Sequence, residues 1–152
     1  MLQNFFIKRT HTGDPDFQLL IQQLDLELWN ELNENQAMYD GFNKVPGIPT
    51  AVLVYEKDQP VGCGCFKETG EHTVEIKRMF VQKAHRGKGV SKIILTELEK
   101  WAKENGSANV LLETSIHFAT ARKLYQTSGY NIIPNYGPYS GLKESVCMQK
   151  WL

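Results

Sequence analysis

Apolar positions recur along this chain with two different periods, and the places where the period changes mark its elements. Asn4 to His11 (NFFIKRTH) is a short β-rich run ended by Gly-Asp-Pro-Asp. Asp14 is suited to cap a helix there, and Pro15 to its first turn, where the missing N–H costs nothing. Phe17, Leu20, Ile21, Leu24 and Leu28 then fall at helical spacing, so one face of that helix is apolar. From Asn30 the period decays through NENQAMYDGFNKVPGIP, a stretch rich in Asn, Gly and Pro that reads as a mobile segment with room for one short helix.

Thr50 to Asp58 and Pro60 to Thr69 are β-rich runs hinged at Lys-Asp-Gln-Pro, which predicts a hairpin. A further turn, TGEH, leads into a third strand over Thr73 to Val81. Val90, Ile93, Ile94, Leu98 and Trp101 mark an amphipathic helix that stops near Asn105-Gly106. Ala108 to Thr114 has the apolar run of a buried strand, Phe118 to Ser128 predicts another helix ended by Gly129, and YNIIPNY and SVCMQKW predict two closing strands. The order is β, α, β, β, β, α, β, α, β, β. Strand, helix and strand between residues 73 and 114 predict one parallel pair, whereas the hairpins before them are antiparallel. The fold class is α+β, a central mixed sheet flanked by helices. No repeat, linker or low-complexity tract divides residues 1–152, so a single domain is expected.

Composition narrows the function. Hydrophobic residues make up 41% and aromatics 11%, enough for a core. With 17 basic and 17 acidic residues the net charge is zero, so no global field recruits nucleic acid or an anionic membrane. No apolar run approaches a membrane span and the first residues lack a secretory apolar region, which together predict a cytoplasmic protein. Cys63, Cys65 and Cys147 are odd in number and lack CxxC spacing, which fits a reducing compartment better than a disulfide framework or zinc site. Cys63 and Cys65 share one face of a strand and read as buried reduced thiols rather than nucleophiles. His11, His72, His85 and His117 have no paired spacing for a metal, so each is expected to face solvent or bond locally. Trp29, Trp101 and Trp151 read as packing residues.

One stretch carries chemistry. HRGKGVS, His85 to Ser91, places two glycines between a strand and a helix start. Successive backbone N–H groups in such a turn form a positive concavity suited to phosphate, with Arg86 and Lys88 adding charge. A plain tight turn is the competing reading. A dinucleotide site would need GxGxxG, and the third glycine position here is Lys92, although Glu113 stands where a ribose-binding acid could sit. A phosphate-binding GxxxxGK[ST] loop is absent.

Arg86-Gly87-Lys88-Gly89-Val90-Ser91 resembles the Q/R-x-x-G-x-G/A cofactor motif of the GNAT superfamily of acyl-CoA-dependent N-acetyltransferases, with Ser91 in place of the final small residue. Ala121, Leu124, Tyr125, Gly129 and Tyr130 resemble its second signature, A-x-x-L-Y-x-x-x-G-F/Y, with Phe118 where an Asn is usual. The element order is similar across essentially the whole chain. The resemblance implies a GNAT-like fold and transfer of an acetyl group from acetyl-CoA, without a metal, to a primary amine of a small molecule, amino acids included. It implies pyrophosphate contact by the Arg86 to Ser91 main chain, pantetheine contact by Met79, Phe80 and Val81, Glu75 as general base and Tyr125 as general acid. Phe118, Ala121 and Tyr125 also share a helical face, so a core role competes for Tyr125, and a solvated glutamate beside surface charges Lys77 and Arg78 competes for Glu75. Tyr39, Phe42 and Asn43 are implied acceptor contacts, and the resemblance leaves room for a homodimer. A non-catalytic acyl-CoA-binding module and, more weakly, an NAD-dependent oxidoreductase are the alternatives.

Overall fold

The computed structural model describes residues 4–32 and 47–152. The elements are β1 (Phe5–Thr10), α1 (Pro15–Leu32), β2 (Ala51–Glu56), β3 (Gln59–Gly70), β4 (Thr73–Val81), α2 (Val90–Glu104), β5 (Asn109–Ser115), α3 (Ala119–Thr127), β6 (Asn131–Ile133) and β7 (Ser145–Trp151). Their order is the one read from the sequence. The expected mobile segment with its short helix, and with it Tyr39, Phe42 and Asn43, lies outside the described residues.

The strands form one seven-stranded mixed sheet in the order β1-β2-β3-β4-β5-β7-β6. β1 with β2, β2 with β3, β5 with β7 and β6 with β7 are antiparallel, and β4 with β5 is the expected parallel pair. The residues group into two compact units, one within Met1–Phe66 and Lys77–Leu98 and the other of Lys67–Ile76 and Glu99–Leu152.

In the first unit the apolar face of α1 does what its spacing requires. Phe17, Leu20 and Ile21 are buried with Ile48, Ala51, Leu53, Cys63, Cys65 and Phe80, and Leu24 packs against that cluster. The helix starts where expected: Asp14 Oδ1 accepts the Asp16 N–H at 2.9 Å, while Oδ2 accepts from Lys8 Nζ and Thr10 Oγ1, each at 2.9 Å. One carboxylate thus caps α1 and ties it to β1. α2 lies close on β3, because a Cβ at Gly64 would stand 2.9 Å from Ile94 Cγ2 and 2.7 Å from Met79 Sδ. In the second unit Val74, Ile76, Val110, Leu112, Tyr125, Tyr130, Tyr139, Cys147 and Met148 are buried.

Two expectations from side-chain type fail. Trp29 and Trp151 are 56% and 70% exposed, so neither is a packing residue. Trp29 follows Leu28 by about 100° around α1, off the buried stripe, and Trp151 ends the last strand. Lys77 is buried, and the Arg78 side chain is only 8% exposed, so these are not surface charges. β4 runs through the middle of the sheet, where neighbouring strands and packed faces leave little water.

Candidate active site

The glycine turn sits between β4 and α2. After Val81 a short 3₁₀ turn, Lys83–His85, is closed by His85 N–H to Gln82 O at 2.8 Å. Gly87 and Gly89 follow with φ of +79° and +83°. Side chains resist that region, and among the described residues no heavy atom lies within 4 Å of where a Cβ would stand at either position. Ile93 N–H to Gly89 O, 3.1 Å, is the bond that starts the α2 ladder. The N–H groups of Val90, Ser91 and Lys92 therefore precede any intrahelical partner, which is the arrangement that favours an anion.

The basic side chains of the stretch are engaged by the protein itself. Arg86 Nε donates to Val81 O at 2.8 Å and its Nη2 to Glu27 Oε2 at 2.7 Å, and the guanidinium lies 5.7 Å from the Phe80 ring centre. His85 Nδ1 lies 3.1 Å, and Lys88 Nζ 4.0 Å, from Glu56 Oε2. Glu27 and Glu56 offset part of the charge of Arg86 and Lys88, so the main chain is the larger share of what the turn offers an anion.

Upstream, the parallel register of β4 with β5 runs from Thr73↔Asn109 to Ile76↔Leu112, and Met79, Phe80 and Val81 lie beyond it. Between the two parts Arg78 takes φ +60°, a conformation that costs a non-glycine residue about 1–3 kcal/mol. Its guanidinium makes two bonds to Asp25, at 2.9 and 3.2 Å, and Cys63 Sγ and Cys65 Sγ donate to the Arg78 and Lys77 carbonyls at 3.5 and 3.4 Å. The backbone departs from regular strand where it is held by several neighbours.

Glu75 is not the solvated glutamate of the competing reading. It is 4% exposed, and its Oε2 accepts two hydroxyls, from Tyr136 at 2.9 Å and from Tyr139 at 3.0 Å. Lys67 Nζ is 3.9 Å from the other oxygen, Oε1. Burial first, then the Glu75 charge, pushes both phenols well above the ordinary tyrosine range, so both remain donors. Neither tyrosine was singled out from sequence. They flank Gly137-Pro138 on a single 3₁₀ turn, a spacing visible in YGPY, but their acceptor is about sixty residues away.

Tyr125, on α3, is buried and meets Tyr130 edge-on, with ring centres 5.8 Å apart. Burial first and then the charge of Glu113 raise its phenol above the ordinary range. Tyr55, Tyr130, Tyr136 and Tyr139 each donate to a carboxylate, whereas the Tyr125 hydroxyl has no hydrogen-bond partner among the described residues. The second signature is otherwise placed as its pattern requires: Gly129 takes φ +98° after α3, Tyr130 is buried, and Phe118 stands at the N-cap without a side-chain cap. Glu113, considered above for a ribose, instead accepts Ser145 Oγ at 2.7 Å. Each histidine bonds locally, His11 to the Gly13 N–H, His72 to Gly106 O, His85 to Glu56 and His117 to Glu144.

The chain is 35% identical over 100 residues to the uncharacterized N-acetyltransferase YsnE of Bacillus subtilis, covering 64% of this chain and 66% of that protein. It spans 66%, 60% and 55% of the length of the first three curated relatives that it matches. An acyl-CoA N-acyltransferase candidate from Klebsiella pneumoniae superposes with a TM-score of 0.81 at 28% identity over 97% of each chain. A streptothricin acetyltransferase candidate from Bacillus anthracis, solved with acetyl coenzyme A, shares the fold at a TM-score of 0.60 and 23% identity, covering 68% of this chain and 62% of that one. Residues 15–130, which contain the glycine turn, Glu75 and Tyr125, match the model of the Acetyltransferase (GNAT) family, and the chain belongs to that family.

Proposed function

We propose that this protein transfers an acetyl group from acetyl-CoA to the primary amine of a small molecule, amino acids included. The observation that carries the reading is the Gly87–Gly89 turn, with two positive φ angles and open space at both missing Cβ positions, opening α2 directly after β4. Such a turn suits a pyrophosphate, which it would meet with the main chain of Arg86 to Ser91. Met79, Phe80 and Val81, past the end of the β5 register, suit main-chain pairing with the pantetheine arm. When bound, acetyl-CoA supplies a thioester whose carbonyl carbon the amine attacks, the C–N bond forming and the C–S bond then breaking. Glu75 takes the proton that the ammonium must lose, directly or through a water. Tyr125, protonated and with its hydroxyl uncommitted among the described residues, donates toward the departing sulfur. Net charge near zero argues mildly for a small acceptor over a strongly basic protein.

The test is release of CoA thiol over a panel of the twenty amino acids, spermidine, phenethylamine and kanamycin, with a thermal-shift arm. Acetyl-CoA at 100 times its dissociation constant is expected to stabilise the protein by about 2.7 kcal/mol. Stabilisation by NAD and not by acetyl-CoA would sink the reading. Binding of acetyl-CoA without turnover of any panel amine would favour the non-catalytic alternative.

A further inference from the structure

Glu75 is held by two groups that lie outside both signature motifs, in the closing YGPY segment. Both Tyr136 and Tyr139 come from the turn ahead of β7, and both aim their hydroxyls at one atom, Glu75 Oε2, at 2.9 and 3.0 Å. Their rings meet at right angles, with centres 5.5 Å apart, so each ring limits the other's rotation. Tyr139 is 2% exposed, and Asn135, just ahead of the turn, donates to the carbonyls of Leu142 and Ser145, each at 3.0 Å, which pins the loop across its base.

We infer that Tyr136 and Tyr139 are positioning residues for Glu75, fixing the plane of its carboxylate for the proton it receives from the acceptor. The inference rests on Glu75 being the base. Two charge-assisted hydrogen bonds to one oxygen, from rings that restrict each other, hold the carboxylate in one orientation, with Lys67 Nζ 3.9 Å from Oε1. One proton passes from the ammonium to the Glu75 carboxylate, leaving a neutral amine and a protonated carboxyl, which returns the proton to solvent after the product leaves. The β4 backbone alone fixes where Glu75 begins; the two tyrosines fix how its carboxylate is turned.

The experiment is a double-mutant cycle on the full chain. Tyr136→Phe and Tyr139→Phe are each made in the wild type and in Glu75→Gln, and kcat, acetyl-CoA affinity and melting temperature are measured with the best amine of the panel. Each Phe variant keeps its ring and is expected to lower kcat by about tenfold, the size of one hydrogen bond to a charged group, with acetyl-CoA affinity unchanged. In Glu75→Gln the same substitutions are expected to lower kcat no further, because they act through the carboxylate. An equal fold-loss in both backgrounds, or no loss in the wild type, overturns the inference. Full turnover by Glu75→Gln itself would instead remove the base assignment on which it stands, and the two failures are told apart in the same table of rates. If Tyr139→Phe loses its fold, the half-buried Tyr136→Phe decides alone.

Discussion

Tyr125 differs from the other described tyrosines in where its hydroxyl goes, and that difference bears on two roles that the sequence left open. A core tyrosine would be expected to satisfy its O–H, as the carboxylate-bound ones do, while an acid must keep its donor for the substrate. Because its pKa is raised, the phenol stays protonated through the neutral range. Tyr125→Phe is expected to lower kcat at least about tenfold with acetyl-CoA affinity and melting temperature near wild type, since the group removed bonds no described neighbour. Normal kcat, measured where chemistry limits the rate, would return Tyr125 to the core. Gly89→Val tests the turn at the same scale. A β-branched residue at φ +83° is strained and fills the space the phosphate needs, so acetyl-CoA binding should vanish by calorimetry while circular dichroism stays native. A folded variant with unchanged affinity would show that the turn is not the cradle. The glycines were legible from sequence because glycine takes that backbone at the least cost. Tyr136 and Tyr139 were not, because their spacing in YGPY is local while their hydrogen bonds to Glu75, about sixty residues away, are a property of the folded chain.

The elements were legible to within one or two residues at most ends, and the reason is punctuation. Asp14-Pro15 starts α1, Gly106 with φ +91° ends α2, and Gly129 ends α3, each by a backbone requirement that a single residue meets. What the pattern concealed was burial within β4, where Lys77 and Arg78 read as surface charges and a solvated Glu75 competed with a catalytic one, whereas all three lie in the middle strand of seven. Side-chain charge reports the usual environment of a residue type, not the neighbours that topology brings to it. Two outcomes are expected at this scale. Gly64→Ala forces a Cβ to within 2.9 Å of Ile94 Cγ2 and 3.1 Å of Leu98 Cδ1, which should destabilise the β3–α2 contact by about 1–3 kcal/mol in urea unfolding. An unchanged midpoint would mean that α2 can move away without loss. At the start of α1, burial would push the Asp14 carboxyl up, but the bonds from Lys8, the Asp16 N–H and Thr10 outweigh it and hold the pKa below 3.8. A folded value below the unfolded one stabilises above 3.8, and the gain is lost as pH falls through the folded value. Asp14→Asn should therefore be less stable than wild type by about 1 kcal/mol at neutral pH, converging with it in acid; parallel melting curves across the range would refute the role.

At the scale of the molecule, the sequence carried the family through two motifs whose glycines and small residues serve the main chain, while the side chains around them answer to local partners. That is why Arg86 and Lys88, prominent in the sequence as added positive charge, are partly offset by Glu27 and Glu56 in the fold. It is also why nothing read from single residues names the acceptor. The three cysteines have a practical meaning for any study of turnover. All are buried, with burial the main cause raising the Cys63 thiol far above its ordinary range and the Cys147 thiol to about 11. A dye that captures liberated CoA thiol thus meets a protein whose own sulfurs are silent while it is folded. Heated past its transition, the same sample would light up with three equivalents of its own thiol, so a single reagent serves as clock for the chemistry and as thermometer for the chain.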